Sequence, residues 1–115
     1  MEPLVVLVTA SSPDEAARLA RALVDERLAA CVNVIPGLRS IYRWQGQVEE
    51  ADEVLLIVKT ARHLLAPLTE RVRTLHSYSV PEVIALPITG GSAPYLEWLA
   101  AQVRTDAEVG EPAGD

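Results

Sequence analysis

His76 and Glu82 are the side chains in this sequence whose types and spacing best suit metal binding. His76 begins a segment, ending at Pro81, that has no regular apolar pattern and is predicted to be a loop. Imidazole favours copper(II) and similar ions, and a carboxylate such as that of Glu82 can add a weaker ligand. We therefore predict His76 as a metal ligand, against the alternative of a loop histidine bonded to backbone groups.

Cys31 is the only thiol in the chain and the third candidate ligand. A single cysteine can form neither an intrachain disulfide nor a paired-cysteine metal clip, and a free cysteine most often packs as a small apolar residue. The other histidine, His63, is expected on the exposed side of a helix. One chain thus lacks a complete ligand set. We expect no tightly bound cofactor, only weak binding of copper(II) or another divalent ion that uses donors from neighbouring subunits or water.

Aromatic and basic residues form a second group of candidates. Tyr42 and Trp44 alternate onto one face of a predicted strand, where they can stack on a planar ligand or, more simply, pack against a partner subunit. Lys59 ends an apolar strand and is expected to pair with a carboxylate or to bind an anion. Tyr78 lies in the same loop as His76.

Apolar patterns predict the elements that position these residues, in the order β-α-β-β-α-β with an added C-terminal helix. Four strands are expected: Leu4 to Val8, Cys31 to Trp44 with a bend at Pro36-Gly37, Glu53 to Lys59, and Val83 to Ile88. A capping box at Ser12 and Glu15 starts the first helix, Thr60 is expected to cap the second, and Pro67 predicts an irregular start or kink there. This order predicts an α+β, ferredoxin-like antiparallel sheet with helices on one face.

The long hairpin from about Cys31 to Thr60 is the most distinctive predicted element. Its strands exceed the usual length, so its far end should project beyond the helices and expose aromatic side chains and unpaired backbone groups. The acidic residues near its tip are interpreted as a solvated surface; they are Glu49, Glu50, Asp52 and Glu53. The exposed end needs a cover, and we therefore predict a homo-oligomer.

Composition limits the possible partners and the location. The chain has 115 residues and a net charge of -6, which predicts one domain over residues 1–103 and disfavours nucleic acid as a partner. The apolar runs are too short to cross a membrane, so no membrane partner is expected and the predicted location is the cytoplasm. Residues 104–115 are predicted to form a disordered acidic tail.

Several ordered motifs resemble the CutA family of divalent-cation tolerance proteins. They are Ala29 to Gly37, Ser40 to Gly46, Lys59-Thr60, His76 to Glu82 and Tyr95 to Leu99. The resemblance covers about residues 4 to 103 and implies a homotrimer in which the long hairpins pair with adjacent subunits. Two departures are visible: many members have proline at the position of Ser77, and some bacterial members have a copper-binding cysteine where this chain has Val8.

Three functions are compatible with these observations. The leading hypothesis is a non-enzymatic, trimeric tolerance protein that binds copper(II) or another divalent ion weakly near subunit boundaries. The second is a small-molecule sensor, similar to the PII signalling proteins, with its ligand in an intersubunit cleft near Trp44, Lys59, Tyr78 and Glu82. The third is a stable scaffold that anchors another protein. The chain contains no phosphate-binding loop or nucleophile elbow, so no enzymatic reaction is predicted.

Overall fold

The computed structural model of the chain describes residues 1–109, and the main elements follow in the predicted order. The strands are β1 (Pro3–Ala10), β2 (Cys31–Trp44), β3 (Gln47–Ala61) and β4 (Val83–Pro87). The helices are α1 (Pro13–Asp25), α2 (Leu65–Leu75), α3 (Ala93–Gln102) and the short α4 (Asp106–Val109). Within the described residues, no helix is long and apolar enough to span a membrane.

The four strands form one antiparallel sheet in the order β2-β3-β1-β4. The first strand therefore lies inside the sheet, between β3 and β4, while β2 and β4 form the two edges. This is the order expected when two β-α-β units interleave, because each helix crosses over one neighbouring strand. The predicted α+β ferredoxin-like architecture is confirmed.

Alternation along β1 shows which face of the sheet holds the core. Leu4, Val6 and Val8 are at most 1% exposed, whereas Val5 and Leu7 between them are only partly buried. Val6 and Val8 pack with apolar residues of α1 and α2 and with Leu99 of α3; the helical members include Leu19, Leu23, Leu68 and Val72. Each fully buried side chain of this size contributes roughly 1.5–3 kcal/mol, so this layer supplies most of the protomer's stability.

The opposite side of the sheet, here called the open face, is apolar as well. Residues that pair directly across an antiparallel sheet share a face, and Leu7 pairs with both Ile57 and Ile84. Ile84 and Leu86 on the edge strand β4 are 51% and 50% exposed. One protomer thus leaves an apolar sheet face in contact with solvent.

The long hairpin formed by β2 and β3 extends well past β1. Pairing runs from Cys31 opposite Lys59 to Trp44 opposite Gln47, but β1 pairs with β3 only as far as Val54. Within the sheet, the segment 38–53 beyond that point, here called the hairpin arm, pairs only with itself. Its apolar residues Ile41 and Val48 are 64% and 62% exposed, which confirms the projecting end.

Two backbone features shape this hairpin. The pairing shifts register between Ile35 and Leu38, and Gly37 has φ of 86°, so Pro36-Gly37 forms the predicted bend as a β-bulge. At the tip, Gln45 and Gly46 have φ of 50° and 82°. Two consecutive left-handed residues match the tight hairpin turn that follows the natural twist of the strands.

The helix starts agree only in part with the predictions. The Ser12 hydroxyl accepts the Glu15 amide at 3.1 Å, as expected for an N-cap, but the Glu15 carboxylate bonds Ser11 instead of Ser12. The prediction that Thr60 caps the second helix was wrong, because β3 continues to Ala61 and the Thr60 hydroxyl donates to the Leu28 carbonyl at 2.6 Å. A 3₁₀ turn (Arg62–Leu64) then leads into α2. Pro67 lies in the first turn of α2, where backbone amides have no partner inside the helix, so the missing N–H of proline costs no helical hydrogen bond.

The chain after α3 continues to make contacts through residue 109. The Arg104 amide donates to the Arg27 carbonyl at 2.9 Å, and the Arg27 guanidinium binds Glu108 at 3.0 Å. The predicted disordered tail therefore does not begin at residue 104, because the two arginines hold this segment against the end of α1. The rest of the predicted tail, residues 110–115, lies outside the described residues.

Candidate functional site

His76 is a buried, fully bonded residue at the end of α2. Its side chain is 0% exposed, Nε2 lies 2.7 Å from the Thr9 carbonyl oxygen, and Nδ1 accepts the Tyr78 amide at 3.0 Å. Because Nδ1 accepts the Tyr78 amide, Nε2 is the ring nitrogen that donates to the Thr9 carbonyl. Neither ring nitrogen is free for a metal in this conformation. The alternative considered from the sequence, a histidine tied to backbone groups, describes this geometry.

Glu15 joins the start of α1 to the loop formed by residues 76–82. It is 3% exposed, and its carboxylate accepts the Ser11 amide at 2.9 Å, the Ser11 hydroxyl at 2.8 Å and the Ser77 amide at 2.7 Å. Burial raises the pKa of Glu15, but the hydrogen bonds from Ser11 and Ser77 together outweigh it and lower the pKa to about 2. Glu15 therefore stays ionised at neutral pH. Sequence reasoning found its capping position but gave no signal of its bond to the distant loop.

Ser77 occupies the position at which the resemblance implies proline in many members. A proline has no amide hydrogen, so proline at this position could not donate to Glu15. The serine therefore gives this loop an amide contact with a buried carboxylate. The loop is held by Glu15 and Thr9 instead of by a rigid ring.

Tyr78 and Glu53 form a second buried polar contact on the other side of the loop. The Tyr78 hydroxyl donates to Glu53 Oε2 at 2.7 Å, and Glu53 is 8% exposed. Burial raises the pKa of the Tyr78 hydroxyl, and the carboxylate of Glu53 raises it further, so the phenol stays protonated and keeps donating. The interpretation of Glu53 as part of a solvated tip was wrong, because the loop carrying Tyr78 folds over it where β1 has ended.

These residues border a cleft of about 550 Å³ at the base of the hairpin arm, here called the hairpin cleft. The arm, the end of β1 and the loop after α2 all contribute to its walls. The lining residues are Thr9, Ser40, Ile41, Tyr42, Trp44, Glu53, Tyr78, Ser79, Val80 and Glu82. The structure thus brings together Tyr42, Trp44, Tyr78 and Glu82, four of the residues singled out from the sequence.

Cys31 and Lys59 lie at the opposite end of the hairpin. They pair directly across β2 and β3, six positions along β3 from Glu53, which corresponds to about 20 Å of extended strand. The Lys59 ammonium bonds the Asn33 side-chain oxygen, and no carboxylate within residues 1–109 lies within ion-pair distance of it. The expected pairing of Lys59 with an acid is therefore replaced by an amide contact. Neither residue lines the hairpin cleft.

The three predicted metal ligands do not meet in one protomer. His76 is enclosed, Glu82 is exposed at the cleft, and Cys31 is partly buried at the start of β2. Across residues 1–109, no group of three or more histidine, cysteine, aspartate or glutamate side chains is close enough to hold an ion.

Two further residues considered from the sequence, Val8 and His63, are held inside the protomer. Val8, the position at which the resemblance implies a cysteine in some bacterial members, is 0% exposed in the core. His63 is not an exposed helix residue as expected, because its Nε2 lies 2.7 Å from the Arg104 carbonyl oxygen and its side chain is 21% exposed. Both positions have structural roles in the protomer.

Comparison with known proteins gives a consistent result across sequence and structure. A family model described as CutA1 divalent ion tolerance protein matches residues 4–102. The divalent-cation tolerance protein CutA of Thermus thermophilus is 59% identical over 83% of this chain and 92% of the relative. The chloroplastic CutA protein of Arabidopsis thaliana is 54% identical over 88% of this chain, which spans 56% of that relative. The crystal structure of CutA1 from Oryza sativa superposes with a TM-score of 0.88 at 50% identity, over 90% of this chain and 95% of that one.

Proposed function

Because this chain belongs to the CutA1 family of divalent ion tolerance proteins, we propose that it acts in cation tolerance as a non-enzymatic homotrimer that binds divalent ions weakly. The observation that carries this proposal is the family match over residues 4–102, which reaches into all four of the described strands and includes the lining of the hairpin cleft. Copper(II) is the proposed ion on donor chemistry, since it stands highest in the affinity order of divalent ions.

The homotrimer is supported by the two uncovered surfaces of the protomer. Ile84 and Leu86 on the open face are half exposed, and the hairpin arm exposes Ile41 and Val48. Both edges of the sheet also carry unpaired backbone groups, which a strand from another copy can satisfy. Light scattering during size-exclusion chromatography tests this point: a mass of three chains is expected, and a stable monomer at micromolar concentration would contradict it.

Weak metal binding near subunit boundaries is supported by how the donors are distributed. The part of the chain that the structure describes holds no closed ligand set, so a metal must combine donors from different copies or keep several waters. Among the three predicted ligands, Glu82 is the one whose side chain is exposed. His76 can take part only if one ring nitrogen gives up its bond, either to the Tyr78 amide or to the Thr9 carbonyl.

A copper(II) titration of the purified protein, followed by calorimetry and electron paramagnetic resonance, tests the metal proposal. Glu82→Gln is expected to weaken binding about tenfold, because it removes a charged oxygen ligand while keeping the shape. Glu97→Gln is the matched control, since Glu97 is an exposed carboxylate on α3. Equal affinity in both variants would reject Glu82 as a ligand, and no copper binding by the wild-type protein would reject the metal proposal.

His76→Ala is a poorer first test, because it also removes two buried hydrogen bonds. A loss of binding in that variant would not separate ligation from a collapsed loop. It becomes informative beside Glu82→Gln once circular dichroism shows that the fold is kept.

A further inference from the structure

His63 and Asp106 face each other at the helical side of the protomer. His63 lies on the 3₁₀ turn before α2, and Asp106 lies on α4. The distance from His63 Nδ1 to Asp106 Oδ1 is 3.9 Å, which is too long for a hydrogen bond. Neither residue belongs to the open face or to the hairpin arm, and Leu64 and Val109, in the same two elements, pack against the helix-covered core.

The other ring nitrogen of His63 fixes which atom faces Asp106. Nε2 lies 2.7 Å from the Arg104 carbonyl oxygen, and a carbonyl oxygen can only accept, so Nε2 carries a proton. In the neutral ring, Nδ1 therefore presents a lone pair to the carboxylate. Two acceptors that face each other repel unless a cation lies between them, and that cation is either a proton on Nδ1 or a metal ion.

The bond from Nε2 to a backbone carbonyl is also the arrangement that metal-binding histidines use. A histidine ligand almost always donates its second ring N–H to a carbonyl or a carboxylate, which fixes the tautomer and the orientation of the ring. Imidazole together with carboxylate suits ions such as zinc and copper(II). His63 differs in this respect from His76, whose two ring nitrogens are both engaged by the backbone.

The backbone beside Asp106 is anchored by several other contacts. The Arg104 amide donates to the Arg27 carbonyl at 2.9 Å, and the Glu108 carboxylate accepts the Thr105 amide at 2.8 Å. Glu108 also pairs with the Arg27 guanidinium at 3.0 Å. These bonds hold Asp106 next to His63 without using the Asp106 carboxylate, and that side chain is 88% exposed.

We propose that His63 and Asp106 of one protomer bind a divalent ion such as copper(II) or zinc, with water at the remaining positions. A tetrahedral ion needs two such ligand atoms about 3.4 Å apart. Nδ1 and Oδ1 lie 3.9 Å apart, and rotation of the exposed Asp106 side chain closes this gap. Two protein ligands make the binding weak. The site shares no donor with the one proposed at subunit boundaries, and only its use in cation tolerance rests on the proposed function.

Copper(II) titration of Glu82→Gln protein at pH 7 tests this site apart from the proposed boundary site. When added to this background, His63→Gln and Asp106→Asn are each expected to weaken the calorimetric affinity about tenfold, because each removes one of two ligands. Glutamine can still donate to the Arg104 carbonyl, so His63→Gln removes the imidazole without releasing the segment. Asp14→Asn is the matched control, since Asp14 is an exposed aspartate on the first turn of α1, and it should leave the affinity unchanged.

Pulsed electron paramagnetic resonance identifies the ligand, because a copper-bound imidazole gives a signal from its second ring nitrogen. The signal is expected in Glu82→Gln protein and should disappear when His63→Gln is added. The chain has one other histidine, His76, so a signal that survives His63→Gln would overturn the proposal. Equal copper affinity with His63→Gln and with Asp14→Asn, or no copper binding in the Glu82→Gln background, would also overturn it.

Comparison with single variants separates this site from the proposed boundary site. Copper binding that is unchanged by Glu82→Gln but lost with His63→Gln would support the new site and reject the boundary ligand. Binding that is weakened by Glu82→Gln but unchanged by His63→Gln would reject the new site alone.

Discussion

At the scale of single residues, the loop after α2 depends on two buried carboxylates that the sequence did not single out as a pair. Glu15 accepts the Ser77 amide on one side of the loop, and Glu53 accepts the Tyr78 hydroxyl on the other. His76 bonds the Thr9 carbonyl, and its Nδ1 lies 3.8 Å from Glu15 Oε2. The loop that shapes the hairpin cleft is therefore fixed by polar contacts with groups from distant parts of the chain.

The first prediction concerns the pH dependence of Glu15. The pKa of Glu15 falls from 4.5 to about 2 on folding. The ionised carboxylate therefore stabilises the folded protein fully above pH 4.5, and this stabilisation is lost as the pH falls through about 2. This shift corresponds to about 3 kcal/mol. Glu15→Gln should lower the free energy of unfolding by an amount of this order at pH 7, and the gap to wild type should close between pH 4.5 and 2.

Urea unfolding at fixed protein concentration, measured at a series of pH values for both proteins, checks this expectation. Glu97→Gln, on an exposed part of α3, serves as the control and should follow the wild-type curve. A gap between Glu15→Gln and wild type that stays constant from pH 7 to 2 would show that the effect is steric and not electrostatic.

The second prediction concerns Ser77. Ser77→Pro removes the amide that donates to Glu15, which costs about 1.5–3 kcal/mol for a bond to a charged group, while proline gains only about 0.4–1 kcal/mol from the unfolded chain. The variant should therefore be less stable than Ser77→Ala, which keeps the amide, by about 1 kcal/mol. Thermal and urea unfolding of the two variants measure this difference, and a more stable proline variant would refute the role given to the amide.

At the scale of elements, the hairpin was the part of the fold best predicted from the sequence. Its signals are local: alternating residues, the Pro36-Gly37 interruption and Gly46. In the structure the alternating residues form the paired strands, Pro36-Gly37 forms the bulge, and Gly46 lies in the tight turn. Thr60 shows the limit of such signals. Its position before a helical pattern suggested a cap, but tertiary pairing with β1 extends β3 to Ala61 and turns the hydroxyl toward Leu28.

The third prediction uses the tip of this hairpin. Gln45 has φ of 50°, which asparagine tolerates better than glutamine, and asparagine followed by glycine is the preferred pair for this turn. Gln45→Asn should therefore raise the free energy of unfolding by about 0.5 kcal/mol. Gln47→Asn makes the same chemical change at a strand position and should be neutral or destabilising, so denaturation midpoints that move together would contradict the argument.

At the scale of the whole molecule, the sequence predicted the architecture well and the candidate site only in part. The strand order follows from the order of strands and helices along the chain and from right-handed crossovers, and that order of elements is encoded by patterns among neighbouring residues. The contacts of His76 with Thr9 and of Tyr78 with Glu53 join segments far apart in the chain, and no local pattern encodes them. The resemblance located the loop of His76 but not the direction in which its side chain points.

The fourth prediction concerns the open face. Ile84→Glu places a charge on this apolar surface and should reduce the molecular mass measured by light scattering at micromolar concentration, because a charge buried between subunits would have no partner. Val24→Glu makes a comparable change at an exposed position of α1 and should leave the mass unchanged. Equal masses for the two variants would show that the open face is not an assembly surface.

The position of β1 in the sheet also has a consequence for how the chain is made on the ribosome. The partners of β1 are β3 and β4, and β4 is synthesised close to the other end of the chain. The hairpin of β2 and β3 pairs locally and can form while translation continues, but one edge of β1 stays unpaired until β4 leaves the exit tunnel. Chains truncated before residue 83 should therefore hold a formed hairpin and a first strand with one unpaired edge.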